Sequence, residues 1–404
     1  MILNRILTFV IVILITISTN AQKSKRLKNV VLSKSDVSDY VPLSVAQIPT
    51  GTFINTASNK QADNETVRPV LVSGFYISES EITNAQYKEF VNWVRDSIAA
   101  KKLGGQYVTI LGTDTSINWK NAEKINYNDA NIAQQLGDLM LDPSMTVGRQ
   151  KGFNPEKIVY LLEGFNYQEA VKKENKGRNP NDFVYRMNVN IYPDTLCWMR
   201  DFGYSNNEQM AVSYFSSVKY QNHPVVGVSW KQATAFCDWM TKHKINVLQR
   251  KNKLSVGGKC RLPTETEWLY AAKLNQIDKE KESEEGKVAT EDSSIVFTNK
   301  NIFPVTVNNA HKGKIGLYNL TDNVMEWTNT SYYEGGENFT NRFNPDIQWG
   351  TPESESKAMR RKVIRGGSWK DTPKFLTTAN RSYDDMDATH SYLGFRIVVN
   401  LPEN

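Results

Sequence analysis

Tryptophan constrains this chain more than any long periodic pattern does. From Asn222 onward, Trp230, Trp239, Trp268, Trp327 and Trp369 fall in a series of short segments. Each indole brings a large apolar area and one N–H that wants an acceptor when buried. Such side chains suit a fold poor in regular structure, where big rings must tie loops together. Gly366 and Gly367 stand just ahead of Trp369 and permit tight backbone geometry there. Core packing is therefore preferred over ligand stacking as the role of these aromatics.

Regular elements show through their start signals. Ser229 and Gln232 form a capping box ahead of the buried stripe Ala233, Phe236, Cys237 and Met240. Thr264 and Glu267 form another after Pro263, with Trp268 and Ala271 inward. A third, Thr83 with Gln86, opens a helix carrying Tyr87, Phe90, Val91 and Val94 at helical spacing. Ile48 to Ile54 reads as a turn feeding a short strand, and Val70 to Ile77 as a second strand. Pro224 to Val228 is a short apolar run, and Lys279 to Lys287 a charged, exposed loop. Residues from about 100 to 215 are rich in Asn, Asp and Lys, yet Trp119, Tyr160, Phe165, Tyr167, Trp198, Phe202 and Tyr204 recur there. Tyr185, Met187, Val189 and Ile191 alternate with Arg186, Asn188 and Asn190, which predicts a half-buried strand before the turn at Pro193-Asp194. This stretch is expected to be a large insertion with some order.

The N-terminus predicts export. Arg5 precedes an apolar run from Ile6 to Ile17, and Thr19-Asn20-Ala21 supplies small residues before a cut that would leave Gln22 first. The run is too short to span a membrane comfortably. Residues 22–43 are polar and basic and read as a linker. The net charge of +6 is mild, is densest at Lys23, Lys25, Arg26 and Lys28, and comes with no nucleic-acid motif. The 404 residues, 40% of them hydrophobic, suffice for a sizeable core. Only three cysteines occur, which excludes a disulfide scaffold. Cys237 and Cys260 are the expected pair, with Cys197 apart in the insertion. No cysteine near the cut offers a site for acylation.

Five segments in order resemble the formylglycine-generating-enzyme/sulfatase-modifying-factor family. They are His223-Pro-Val-Val-Gly-Val-Ser-Trp230, Arg261-Leu-Pro-Thr-Glu-Thr-Glu-Trp268, Gly316-Leu-Tyr-Asn-Leu-Thr-Asp-Asn-Val-Met-Glu-Trp327, Val363-Ile-Arg-Gly-Gly-Ser-Trp369 and Leu393-Gly-Phe-Arg-Ile397. The resemblance implies an α+β, C-type-lectin-like fold with a large insertion. It divides the chain into a signal peptide (1–21), a basic linker (22–43), an N-terminal part of the domain (44–99), the insertion (100–215) and a C-terminal part (216–404). Within the family the chain is most similar to the GldK/PorK branch of type IX secretion and gliding motility. The grounds are the insertion, Ile191-Tyr-Pro-Asp-Thr-Leu-Cys-Trp-Met-Arg-Asp-Phe-Gly-Tyr204, Lys362 to Asp371, and Arg381-Ser-Tyr-Asp-Asp385. That likeness implies a periplasmic, outer-membrane-associated ring with a GldN/PorN-type partner. Members of the branch are typically lipoproteins; with no cysteine to acylate, attachment here would run through partners.

Catalytic relatives use two cysteines shortly after Arg-Gly-Gly-Ser, because thiolates hold Cu(I) and carry the redox step. Asp371 and Leu376 fall near those positions, and neither replaces a thiolate. The related iron branch needs clustered histidines. This chain has His223, His243, His311 and His390, with no close pair. His223 reads as a packing residue and His243 as an exposed helix-end residue. Gly-x-Ser-x-Gly, phosphate-loop and dinucleotide fingerprints are absent from the sequence. A non-catalytic protein is expected. The family's structural calcium, carried over, would use the side chains of Asn319 and Glu326 and the carbonyls of Asp322 and Val324. The other reading has Asn319 capping a turn and Glu326 in a salt bridge, and both stand. Three functions compete: an assembly subunit, an oxidase or non-haem metal enzyme on the same scaffold, and a ligand-binding lectin-like module. Fold alone does not choose among them. The missing thiols argue against the second, the aromatic insertion fits the first, and a pocket with convergent polar groups would favour the third.

Overall fold

The computed structural model describes residues 37–54, 69–112, 114–142, 144, 152–203, 207–254, 258–276, 302–309, 312–336, 342–349 and 356–400. The signal segment, most of the linker, the charged run 279–287, Tyr204 and His311 lie outside them. Among the described residues, no helix is long and apolar enough to cross a membrane.

Short strands carry the architecture. β1 (Val45–Ile48), β2 (Gly51–Phe53), β3 (Val70–Val72) and β4 (Phe75–Ser78) precede helix α1 (Asn84–Leu103). Two hairpins follow, β5 (Val108–Leu111) with β6 (Asp114–Ile117) and β7 (Val159–Phe165) with β8 (Val184–Asn190). Next come α2 (Cys197–Asp201), α3 (Glu208–Ser213), α4 (Trp230–Trp239), β9 (Lys259–Arg261) and α5 (Glu265–Asn275). The chain closes with β10 (Met325–Ser331), β11 (Arg361–Arg365), β12 (Arg381–Asp385), β13 (Leu393–Gly394) and β14 (Val398–Asn400). One sheet has the order β1-β4-β14-β9, all antiparallel. A second has the order β12-β11-β10-β13, its last pair parallel.

Local chemistry sets the helix starts as the sequence predicts. In all three capping boxes the cap hydroxyl accepts from the N3 amide while the N3 side chain accepts from the cap N–H. The main core lies between α1, α4 and the first sheet. Tyr87 stacks on Phe236 at 5.7 Å and 15°, and Phe90 meets Trp239 at 5.2 Å. The Tyr87 hydroxyl donates to the carbonyl of Ile191 at 2.9 Å, which pins the insertion to α1 inside the core. Gly366 takes φ +85°, and a Cβ on Gly367 would sit 2.6 Å from the carbonyl oxygen of Thr321. The turn before Trp369 thus requires glycine.

Three expectations are corrected. Val70 to Ile77 is two strands, because the Ser73 and Gly74 amides leave the ladder for Asn344 Oδ1 and Thr50 Oγ1, each at 2.8 Å. β3 then pairs with β2 and β4 with β1. Val37, Tyr40 and Val41, placed in the linker from sequence, are buried in the main core. Tyr185 is exposed although it shares parity with buried Val189, since at that end of the hairpin its ring covers Gly164 rather than the core.

Candidate functional site

The motif segments converge on a buried charge cluster. Glu326, on β10, accepts from Arg396 Nε at 2.6 Å, from Arg396 Nη2 at 2.7 Å and from Trp268 Nε1 at 2.7 Å. Arg396 is fully buried and also donates to the carbonyls of Ser78 and Tyr318. Glu81, equally buried, accepts from the amides of Asn319 and Asn323, each at 2.9 Å. Burial pushes the Glu81 carboxyl up to about 8; Arg396 opposes this and Glu326 adds to it. Asn319 and Asn323 hold left-handed φ values of +55° and +63°, which bends the segment so that both amides reach Glu81.

This geometry bears directly on the predicted cation ligands. Asn319 Oδ1 is buried with no hydrogen-bond partner, as a ligand to a hard cation would be. Glu326 does not fit that role: its oxygens are taken by Arg396 and Trp268, and the guanidinium already supplies the neutralising charge. Asp322 and Val324 stay on the same turn, and burial raises the Asp322 carboxyl. Of the two predicted side-chain ligands, Asn319 is the one with an oxygen left open. The salt-bridge role of Glu326 is the one the side chain plays.

The loop after Gly366-Gly367 carries no thiol at either predicted position. Asp371 Oδ2 accepts from the Ser368 amide at 2.9 Å and its hydroxyl at 2.6 Å, closing a turn. Leu376 is buried and packs against Gly367. The cysteines lie elsewhere, and all three are free and buried. Cys237 and Cys260 do come together, as hydrogen-bonded thiols rather than the expected disulfide. Burial drives the Cys237 thiol well above its ordinary value, which suppresses the thiolate that exchange requires. His223 packs edge-on against Tyr214 and Tyr220, with its Nδ1 unpartnered. His243 is not an exposed helix-end residue but lies on Trp93, ring centroids 4.1 Å apart.

Two features over this loop escaped sequence reasoning. Trp369 meets Trp198 at 5.9 Å and 22°, Phe202 at 5.1 Å and Phe303 at 5.9 Å, while Trp198 meets Tyr214 at 4.9 Å. The insertion residues Trp198 and Phe202 therefore pack on Trp369, immediately before the segment that the resemblance assigns to redox chemistry. Beside them, His390 lies between two carboxylates: Nδ1 is 2.9 Å from Asp201 Oδ1 and Nε2 is 2.8 Å from Asp384 Oδ2. Asp201 also accepts from the Ser391 amide and hydroxyl. Burial would lower the His390 pKa, but the carboxylates outweigh it and raise it to about 9. An imidazolium with both N–H groups committed cannot act as a general base at neutral pH. It is a pin between α2 of the insertion and β12. Asp201 and Asp384 both sit in segments that the sequence singles out, Ile191–Tyr204 and Arg381–Asp385, the one signal that could have found the pin.

The pin has a pH signature. Because the folded value lies above the ordinary one of 6.5, its contribution is complete below that value and is lost as pH rises through about 9. Urea midpoints of the wild-type chain should fall over that window more steeply than those of His390→Gln. Parallel curves would refute the assignment.

Residues 36–401 match the family model described as sulfatase-modifying factor enzyme 1-like domain. Serine/threonine-protein kinase Pkn1 of Chlamydia trachomatis is 30% identical over 188 residues, 44% of this chain but only 24% of that protein's length. The formylglycine-generating enzyme of Bos taurus is 22% identical over 374 residues, 88% of this chain and 74% of that enzyme. The inactive C-alpha-formylglycine-generating enzyme 2 of Mus musculus is 27% identical over 193 residues, 43% of this chain and 48% of that protein. Among solved structures, PvdO from Pseudomonas aeruginosa aligns with a TM-score of 0.40 and 14% identity, covering 88% of this chain and 94% of PvdO.

Proposed function

This chain belongs to the sulfatase-modifying factor enzyme 1-like domain family, and from that premise we propose that it is a non-catalytic structural subunit of an exported assembly. Its type is that of GldK/PorK in type IX secretion and gliding motility. One observation carries the reading. The two positions where catalytic relatives keep thiolates hold a turn-closing carboxylate, Asp371, and a packed side chain, Leu376. Copper(I) has no soft ligands there. The docked insertion adds support: ordering so long a segment costs conformational entropy, which its aromatic roof and the His390 pin offset. The partner in this reading is a GldN/PorN-type periplasmic subunit, with self-association into a ring held at the outer membrane through partners.

Incubation with Cu(I), oxygen and a cysteine-containing sulfatase peptide should yield no formylglycine. Stoichiometric product would return the oxidase reading. Native-mass measurement with and without the GldN/PorN-type protein should show a higher-order complex. A monomer under both conditions would remove the assembly reading. Export implies cleavage after Ala21, so N-terminal sequencing of the periplasmic protein should begin at Gln22; a retained Met1 would contradict it.

A further inference from the structure

The β7–β8 hairpin forms a two-stranded sheet with open edges, and a groove of about 310 Å³ runs along the edge of β8. Four consecutive strand residues, Met187, Asn188, Val189 and Asn190, make one wall. Lys231, Asp387 and Thr389 make the other.

Register fixes which backbone groups this edge presents. The Ile191 amide donates to the Ile158 carbonyl at 3.0 Å, and the Asn166 amide donates to the Phe183 carbonyl at 2.8 Å. These bonds lie at opposite ends of the hairpin and on the same alternation of the ladder. Tyr185, Met187 and Val189 therefore direct their N–H and C=O groups at β7, and Arg186, Asn188 and Asn190 turn theirs outward. Asn190 confirms the parity, because its carbonyl accepts from Gln232 Nε2 at 3.0 Å, across the groove's end. Two residues earlier, the Asn188 N–H and C=O have no partner among the described residues. The charges of the far wall balance, since its Lys231 pairs with its Asp387 at 2.9 Å. Such a groove favours neither an acidic nor a basic occupant and leaves backbone bonding as the dominant recognition.

We propose that an extended, uncharged segment of a partner protein adds to β8 as a third strand, bonded through the outward N–H and C=O of Asn188. The surface is separate from the Asp371 loop, so the proposal does not depend on the loss of redox chemistry.

A phage library of random decapeptides panned on the full chain supplies the probe. An enriched peptide, resynthesised with a fluorophore, is titrated against wild type and Asn188→Pro. Proline at an outward position deletes one N–H without touching the ladder to β7. Binding should weaken about tenfold, the effect of one hydrogen bond, with melting unchanged. A second measurement does not depend on the variant's folding. Single N-methylations along the peptide should weaken binding about tenfold at alternate residues only, the period of strand pairing. No enriched peptide, equal affinity for folded Asn188→Pro, or N-methyl losses without a two-residue period would each overturn the proposal. None of these results bears on the copper or native-mass outcomes.

Discussion

Arg396→Met should cost on the order of 3–5 kcal/mol of folding stability, the range for breaking one side of a buried ion pair. The guanidinium is fully buried, grips Glu326 through two bonds, and ties down the carbonyls of Ser78 and Tyr318. Its loss would strand the Glu326 carboxylate in the interior without a cation. Typical domains hold only about 5–15 kcal/mol in total, so the urea midpoint should drop far enough for unfolded chain to accumulate at 37 °C. Pairing the change with Glu326→Met should recover part of the loss, because the stranded charge goes too, although Trp268 Nε1 then lacks its acceptor. A single variant within about 1 kcal/mol of wild type would show that the cluster does not hold the fold together.

Trp198→Ala should cost about 3–5 kcal/mol as well, by leaving a cavity under the roof over Trp369. Trp198 is almost wholly buried and touches Tyr214, Phe303 and Trp369. The damage should be regional. Hydrogen exchange over residues 194–215 should quicken strongly, while the core around Tyr87 and Phe236 keeps its protection. Unchanged exchange over 194–215 would mean that the insertion is held by something other than this cluster.

Contacts closed within a few residues were legible from sequence. Each capping box involves atoms three residues apart, so Thr83, Ser229 and Thr264 announced their helices. Trp239, Trp268 and Trp327 are buried as their segments implied. Partnerships across the chain were not legible. Asp201 meets His390 across 189 positions, and Glu81 meets Asn319 across 238, distances over which composition and periodicity carry no information. The break at Ser73-Gly74 was hidden for the same reason, since the acceptor Asn344 lies 271 residues from Ser73. Cys237 and Cys260 are legible as neighbours, but the depth at which both thiols are buried depends on packing that no local pattern encodes. Asn319 and Glu326 were singled out from sequence, yet which cation neutralises Glu326 depended on Arg396, 70 positions away.

The placement of β14 has a consequence for timing. This strand lies inside its sheet, paired with β4 on one side and β9 on the other, and Phe395, Arg396 and Ile397 immediately precede it. During synthesis everything that it joins is made first. Until it emerges, β1 and β4 are a two-stranded fragment of the kind that is marginal in water, β9 has no neighbour, and Glu326 has no counter-charge. The decisive contacts span most of the sequence, which makes closure slow and late. Residues 395–400 therefore complete the first sheet and the buried charge cluster together, after every other member of both has been made.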